Sequence, residues 1–210
     1  RCRGLGMDVS RVRVVPGARS SSYLYITDER GDMQLAVNDM AVCNEISPEY
    51  LERVLPGIQA GALVLDTNLP VESLEFICRS SCIPLYADPV SSVKAMKLHG
   101  VMKHLRAIKP NALEAAALTG QTDPELAARA LIDEGVQRVF ISLGTNGMIA
   151  AEGSRILRMP SPEANVVNAT GAGDASMSAI VWADLHGLSL EDSARAAQLA
   201  GAITCASEES

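Results

Sequence analysis

The segment Asn168-Ala169-Thr170-Gly171-Ala172-Gly173-Asp174 runs without a break into the small-residue stretch Ala175-Ser176-Met177-Ser178-Ala179. Two glycines one residue apart let a backbone turn sharply enough for successive N–H groups to face one concavity. A helix starting behind them adds the partial positive charge of its N-terminus. Gly171, Ala172 and Gly173 therefore read as an anion-binding turn. Asp174 is ill placed to hold an anion but well placed to take a proton beside one. The same residues also suit a turn that merely opens a helix, with Asp174 as an ordinary first-turn carboxylate. Residue chemistry alone leaves both readings open. Asn168-Ala169-Thr170 is formally a glycosylation sequon, read here as coincidence because no secretory pattern accompanies it.

Two further groups have chemistry in reach. Asn111 and Glu114, three apart, suit a helix-capping pair as well as a polar pair facing a site. Ser142-Leu143-Gly144-Thr145-Asn146-Gly147 follows an apolar run and reads as a strand end with a β-turn. The five cysteines (Cys2, Cys43, Cys78, Cys82 and Cys205) and three histidines (His99, His104 and His186) are scattered. Cys78 and Cys82 have the spacing of one helix face, but no second pair completes a zinc set. A reducing, cytosolic setting fits them.

These groups need a scaffold, and 210 residues with 48% hydrophobic character can bury a sizeable core. The formal charge of −7 argues against a nucleic-acid surface. No run approaches 18 apolar residues, so no membrane span is expected. The first residue is Arg1 rather than methionine, and the chain is expected to be a segment of a longer protein.

Val12, Val14 and Val15 suggest a first strand. Ser22–Ile26 and Met33–Val37, around the charged turn Asp28–Asp32, suggest a hairpin. After Ser47 the period changes to that of a short helix. Strands at Ala62–Leu65, Ile83–Ala87, Leu105–Ile108 and Arg138–Leu143 then alternate with helices at Val71–Cys82, from Asn111, and at Pro124–Glu134. Thr122 and Glu125 are spaced as a capping box for the last of these. Two short strands at Met148–Ala151 and Ile156–Met159 precede closing helices at Gly173–Leu185 and Leu190–Cys205. The alternation predicts an α/β fold: a mainly parallel sheet with helices on both faces, plus a small β-hairpin near the N-terminus. The expected division is a strand-rich segment over 1–45, to which a family resemblance gives the role of lid and substrate side, and an α/β core over 46–210.

Gly171-Ala172-Gly173-Asp174 with its helix resembles the C-terminal signature of the ribokinase-like (PfkB-type) carbohydrate kinases. Lys109-Pro110-Asn111-Ala112-Leu113-Glu114 is similar to that family's Asn-x-x-Glu motif, and Ser142–Gly147 to its nucleotide-binding strand and loop. The three occur in the family's order and spacing. Within the family, Gln34–Met40, Asp66-Thr67-Asn68-Leu69-Pro70 and Asp88–Ala95 are most similar to the pseudouridine-kinase branch. The resemblance begins inside the family pattern, so the first strand and the Gly-rich sugar motif are expected to lie outside this chain, as is the tail after Ser210.

The resemblance implies a ribokinase-like fold and a kinase that uses ATP and Mg²⁺ to phosphorylate the 5′-hydroxyl of pseudouridine. Ribose, adenosine or another sugar is the nearest alternative acceptor, and a truncated, non-catalytic nucleotide-binding segment the alternative of another class. It assigns Asp174 as the base, with the Gly171, Ala172 and Gly173 amides as stabilisers of the transferring phosphoryl group. Asn111, Ser142, Gly144, Thr145 and Gly147 are placed on the nucleotide, and Glu114 on Mg²⁺ through water. Asn168 falls in a monovalent-cation loop, making K⁺ a further candidate. Asn38, Asp39 and Asn68 are the substrate-side candidates, although Asn38-Asp39 equally suits a strand-end turn. The implied partners are a small nucleoside or sugar, with neither nucleic acid nor membrane. A homodimer and a fusion to a pseudouridine-5′-phosphate glycosidase domain are further candidates. The expected location is the cytoplasm, an organelle address in a removed leader being the alternative. Isolated, this stretch is expected to be a poor kinase.

Overall fold

β-branched and aromatic residues near the N-terminus pair locally. Strands β1 (Ser22–Thr27) and β2 (Met33–Asp39) form an antiparallel ladder, with Leu24 opposite Val37 and Ile26 opposite Leu35. The computed structural model describes residues 2–27 and 33–207, so the turn expected over Asp28–Asp32 lies outside the described residues. The strand expected at Val12–Val15 does not form: the stretch is irregular, and Val12 and Val14 stay exposed. Among the described residues no strand pairs with it, and β-propensity is chiefly a preference for packing on a pleated surface.

Ser47 caps α1 (Pro48–Val54), accepting from the Tyr50 amide. The chain then alternates through β3 (Leu63–Asp66), α2 (Val71–Ser80), β4 (Leu85–Asp88), the single turn α3 (Ser92–Ala95) and β5 (Leu105–Ile108). Next come α4 (Ala112–Thr119), α5 (Pro124–Asp133) and β6 (Arg138–Ser142). Strands β7 (Met148–Glu152) and β8 (Arg155–Met159), then helices α6 (Ala172–Leu185) and α7 (Leu190–Cys205), close the chain. The larger sheet runs β3-β4-β5-β6-β7-β8. Its first four strands are parallel, each joined to the next by helix-bearing crossovers. The last two are antiparallel, since the loops before them, Leu143–Gly147 and Gly153-Ser154, are too short for a crossover.

The expected capping of α5 is corrected by one residue. Asp123, not Thr122, accepts from the Glu125 and Leu126 amides, because Pro124 occupies the first helical position and moves the cap next to it.

The strands' side chains sort into two cores, one on each face, with a register shift in β5 between Leu105 and Ala107. Leu85, Ala87, Leu105, Ile108, Val139, Ile141 and Ile149 face α1, α2, α4 and α5. Tyr86, Ala107, Phe140, Met148 and Ala150 face α6 and α7. The sheet therefore carries helices on both faces, as expected.

On the second face, Asp184 near the end of α6 gathers polar groups from three strands. Its carboxylate accepts from the Tyr86 hydroxyl, from Arg106 Nε at 2.7 Å and Nη2 at 2.5 Å, and pairs with Arg138 Nη1 at 3.1 Å. Arg138 also holds Glu152 Oε1 at 2.7 Å. Burial pushes the Asp184 carboxyl up, but the bonds from Arg106 and Tyr86 and the Arg138 charge outweigh it and hold the group below the usual carboxylate range. Burial and Asp184 together drive the Tyr86 hydroxyl well above its ordinary value. Removing one member of a buried ion pair strands the others, at about 3–5 kcal/mol. Asp184→Ala should therefore lower stability by about that amount in denaturant unfolding at neutral pH. A depressed carboxyl contributes above its unfolded value, about 3.9, and the contribution fades as pH falls through the folded value. The gap between the native protein and Asp184→Ala should accordingly close on acidification. A gap that is constant down to pH 2 would mean that the clamp acts by packing alone.

Candidate active site

The parallel strands end on one side of the sheet, where loops collect polar groups. Gly171 caps α6 at φ +80°, the left-handed region that glycine enters without steric cost. The Ala172 amide makes a long 3.3 Å bond back to the Ala169 carbonyl. The amides of Gly173 and Asp174 have no backbone acceptor among the described residues, as expected of a helix N-terminus. Asp174 is exposed in this first turn.

Against the turn stands Lys109, just past β5. It is 5% exposed and pairs with Asp88 Oδ2 at 2.9 Å, at the end of β4. A Cβ on Gly173 would lie 3.5 Å from the Lys109 ammonium, so the missing side chain is what leaves that nitrogen access to the turn. Asn111 and Glu114 form a complete capping box on α4: Asn111 Oδ1 accepts from the Glu114 amide and Glu114 Oε2 from the Asn111 amide, both at 2.9 Å. The capping reading is thus realised, yet Glu114 also lines a cavity with its other oxygen outside the box. Burial pushes its carboxyl above the usual range, with Asp88 adding to the rise and the Asn111 amide and Lys109 opposing it.

Two cavities meet at this point. One, of about 480 Å³, is lined by Asp66, Asn68, Asp88, Asn111, Glu114 and Asp174, among others. The other, of about 370 Å³, lies between the Ser142–Gly147 loop and α7, with Thr145, Ala169, Gln198 and Cys205 on its walls. Lys109, Ser142 and Gly173 line both. The loop between them is closed by a 2.8 Å bond from the Leu143 amide to the Gly147 carbonyl. Gly147 sits at φ +92°, and a Cβ there would fall 1.9 Å from the Met159 carbonyl oxygen, so this corner admits no side chain. Asn168 closes the segment before α6: its Oδ1 accepts from the Thr170 amide and its own amide donates to the Cys205 carbonyl.

Of the substrate-side candidates, Asn68 lines the larger cavity. It accepts from Lys94 Nζ at 2.6 Å, while Lys97 Nζ holds the carbonyls of Thr67 and Leu69. Asn38 and Asp39 lie on β2, and neither lines either of these two cavities. Asp39 Oδ1 accepts from the Ala41 amide, as in a strand-end turn. Residue types gave no sign of Lys109 or Asp88: their pairing bridges two strands. Val90 was also missed. At φ +64° it is the one non-glycine residue in the left-handed region among the described residues, and it too borders the larger cavity.

The pfkB family carbohydrate kinase model matches residues 1–210. The chain belongs to this family. It is 35% identical over 201 residues to an Escherichia coli pseudouridine kinase, covering 92% of this chain and 64% of that protein's length. Among solved structures, a putative sugar kinase from Clostridium perfringens is 28% identical with a TM-score of 0.83, over 99% of this chain and 68% of that one. Ribokinase from Thermotoga maritima superposes with a TM-score of 0.79 at 21% identity, over 90% of this chain and 64% of that one, a likeness of fold. Gly171 and Gly173 of the α6 turn and the Asn111–Glu114 pair line the same cavity.

The closeness of Gly173 to Lys109 yields a direct test. Gly173→Val would place a branched side chain between the α6 turn and Lys109, while a helix tolerates valine to within about 1 kcal/mol. Triphosphate binding, followed by titration calorimetry, should weaken at least about tenfold with the melting temperature nearly unchanged, because the amides lose their approach. Unchanged binding would make the turn purely structural.

Proposed function

We propose that this chain carries the donor and catalytic parts of an ATP-dependent kinase that phosphorylates the 5′-hydroxyl of pseudouridine. The observation that carries the reading is the meeting of two cavities at Lys109, Ser142 and Gly173, with the exposed Asp174 carboxylate on the wall of the larger. Phosphoryl transfer asks a protein mainly for alignment, neutralised charge and a base for the attacking hydroxyl. Asp174, facing the larger cavity, takes the proton from that hydroxyl. The first-turn amides, Gly173 foremost, meet the charge that develops on the transferred group. Lys109, held by Asp88, keeps a cation at the point where both cavities open.

The residues present fit a nucleotide and its metal. A nearly buried ammonium beside free helix N-terminal amides is a built place for polyphosphate. Glu114, with one oxygen outside its capping box, and Asn111 offer the hard oxygen donors that a hydrated Mg²⁺ prefers. When bound, the metal neutralises phosphate charge. Support for pseudouridine as acceptor is the named relative at 35% identity, together with Asn68 and Asp66 on the wall of the acceptor cavity.

Two measurements test the reading. Asp174→Asn preserves size and removes the proton acceptor, so kcat should fall by about 10²–10⁴-fold while ATP binding survives. In a substrate panel, pseudouridine should show higher kcat/KM than uridine, ribose or adenosine. Near-normal turnover in the variant would remove Asp174 from the chemistry. Better use of ribose or adenosine would keep the kinase and change its acceptor.

A further inference from the structure

The smaller cavity has walls of small and apolar residues, among them Met148, Ala164, Val166 and Ala202. Most of the hydroxyls on it are already committed: Ser142, Ser161 and Ser176 donate to the carbonyls of Pro110, Pro162 and Ala197. Gln198 on α7 is the one side-chain amide among its lining residues. Its Nε2 donates to the Met159 carbonyl at 3.3 Å. A carbonyl can only accept, so the amide has one permitted orientation, with nitrogen toward Met159 and Oε1 away from it. The Met159 carbonyl is itself fixed, pressed against the side-chain-free corner at Gly147. Gln198 Oε1 therefore stands as an acceptor with no donor among the described residues. Gln198 does not line the larger cavity, whereas Lys109 and Gly173, which mark the phosphate end, line both.

Resting on the kinase reading above, we infer that Gln198 selects the base of the phosphoryl donor, through an acceptor that favours an amino-bearing purine over an oxo-bearing one. The exocyclic amine of adenine donates to such an oxygen, while the 6-oxo group of hypoxanthine or guanine sets acceptor against acceptor. A site built around one hydrogen bond discriminates strongly when the wrong analogue leaves its polar atoms unpaired. ATP and inosine triphosphate make the cleanest pair, because they differ at the 6-position and the adjoining ring proton alone.

Equilibrium binding of the two nucleotides to the chain decides the matter without turnover. ATP should bind about tenfold more tightly than inosine triphosphate, the size of one hydrogen bond made or missed. Gln198→Leu keeps the helix and removes the acceptor, and should bring the two affinities within about twofold of each other. A melting curve checks that the variant is folded, and Gln198→Met serves if it is not. Equal affinities in the native protein overturn the role of Gln198 and leave the kinase standing. A preference that persists in both variants assigns the selection to another residue. Binding of neither nucleotide overturns the kinase reading, and this inference with it.

Discussion

Helix α6 is useful only if it is held still, and the Asp184 clamp is what holds it. A single carboxylate at one end of the helix engages Tyr86, Arg106 and Arg138, and so ties α6 to three adjacent strands at once. The other end is set by close approach to α7. Ser176 donates to the Ala197 carbonyl at 2.9 Å, and a Cβ on Gly201 would fall 2.7 Å from Ser176 Oγ. A rod tied at both ends is held against sliding and tilting for as long as the native packing lasts. Its first-turn amides consequently keep their place relative to Lys109, which belongs to the sheet rather than to the helix layer. Preorganised donors owe their effect to such immobility.

The opposite wall of the larger cavity is built differently, by stitching two strand-end turns together. The Thr67 hydroxyl donates to the Pro89 carbonyl, Lys94 reaches Asn68, and Lys97 bonds two carbonyls of the turn after β3. Asp88 Oδ1 accepts from the Val90 amide while Oδ2 holds Lys109. A β-branched residue in left-handed backbone costs about 1–3 kcal/mol and persists only where its surroundings over-determine it. These bonds supply that determination. The strained turn and the buried cation thus share one carboxylate.

What could be read in advance was whatever the chain encodes locally. The glycine pair and the small-residue helix after it are contiguous, so turn and helix start were legible from Asn168–Ala179. The Asn111–Glu114 spacing left a capping box as one of two readings, and a capping box is there. Lys109 was quoted only as a neighbour of that motif, because its importance comes from Asp88 and Gly173, which reach it from other elements. Val12–Val15 shows the reverse failure: local preference was present and a partner strand was not. Asn68 and Asp39 were both substrate-side candidates, and only the place of each strand in the fold separates them. Asn68 follows a sheet strand whose end opens on the cavity, while Asp39 ends a hairpin strand and closes its own turn.

The two cores on either side of the sheet share no residue. The larger packs α1 to α5, and the smaller consists of one face of the strands with α6 and α7. Proteins open in cooperative units that follow such divisions, each with its own free energy. The α6–α7 layer can therefore loosen while the rest of the sheet keeps its other face covered. Amides of Met177–Ala183 would then exchange with solvent through a shallower opening than those of Leu105–Ile108. A ligand lodged between α7 and the Ser142–Gly147 loop would bridge the loosening layer to the firm one and raise that opening energy. The glycine-rich turn thus sits in the half of the molecule whose rigidity such a ligand would change.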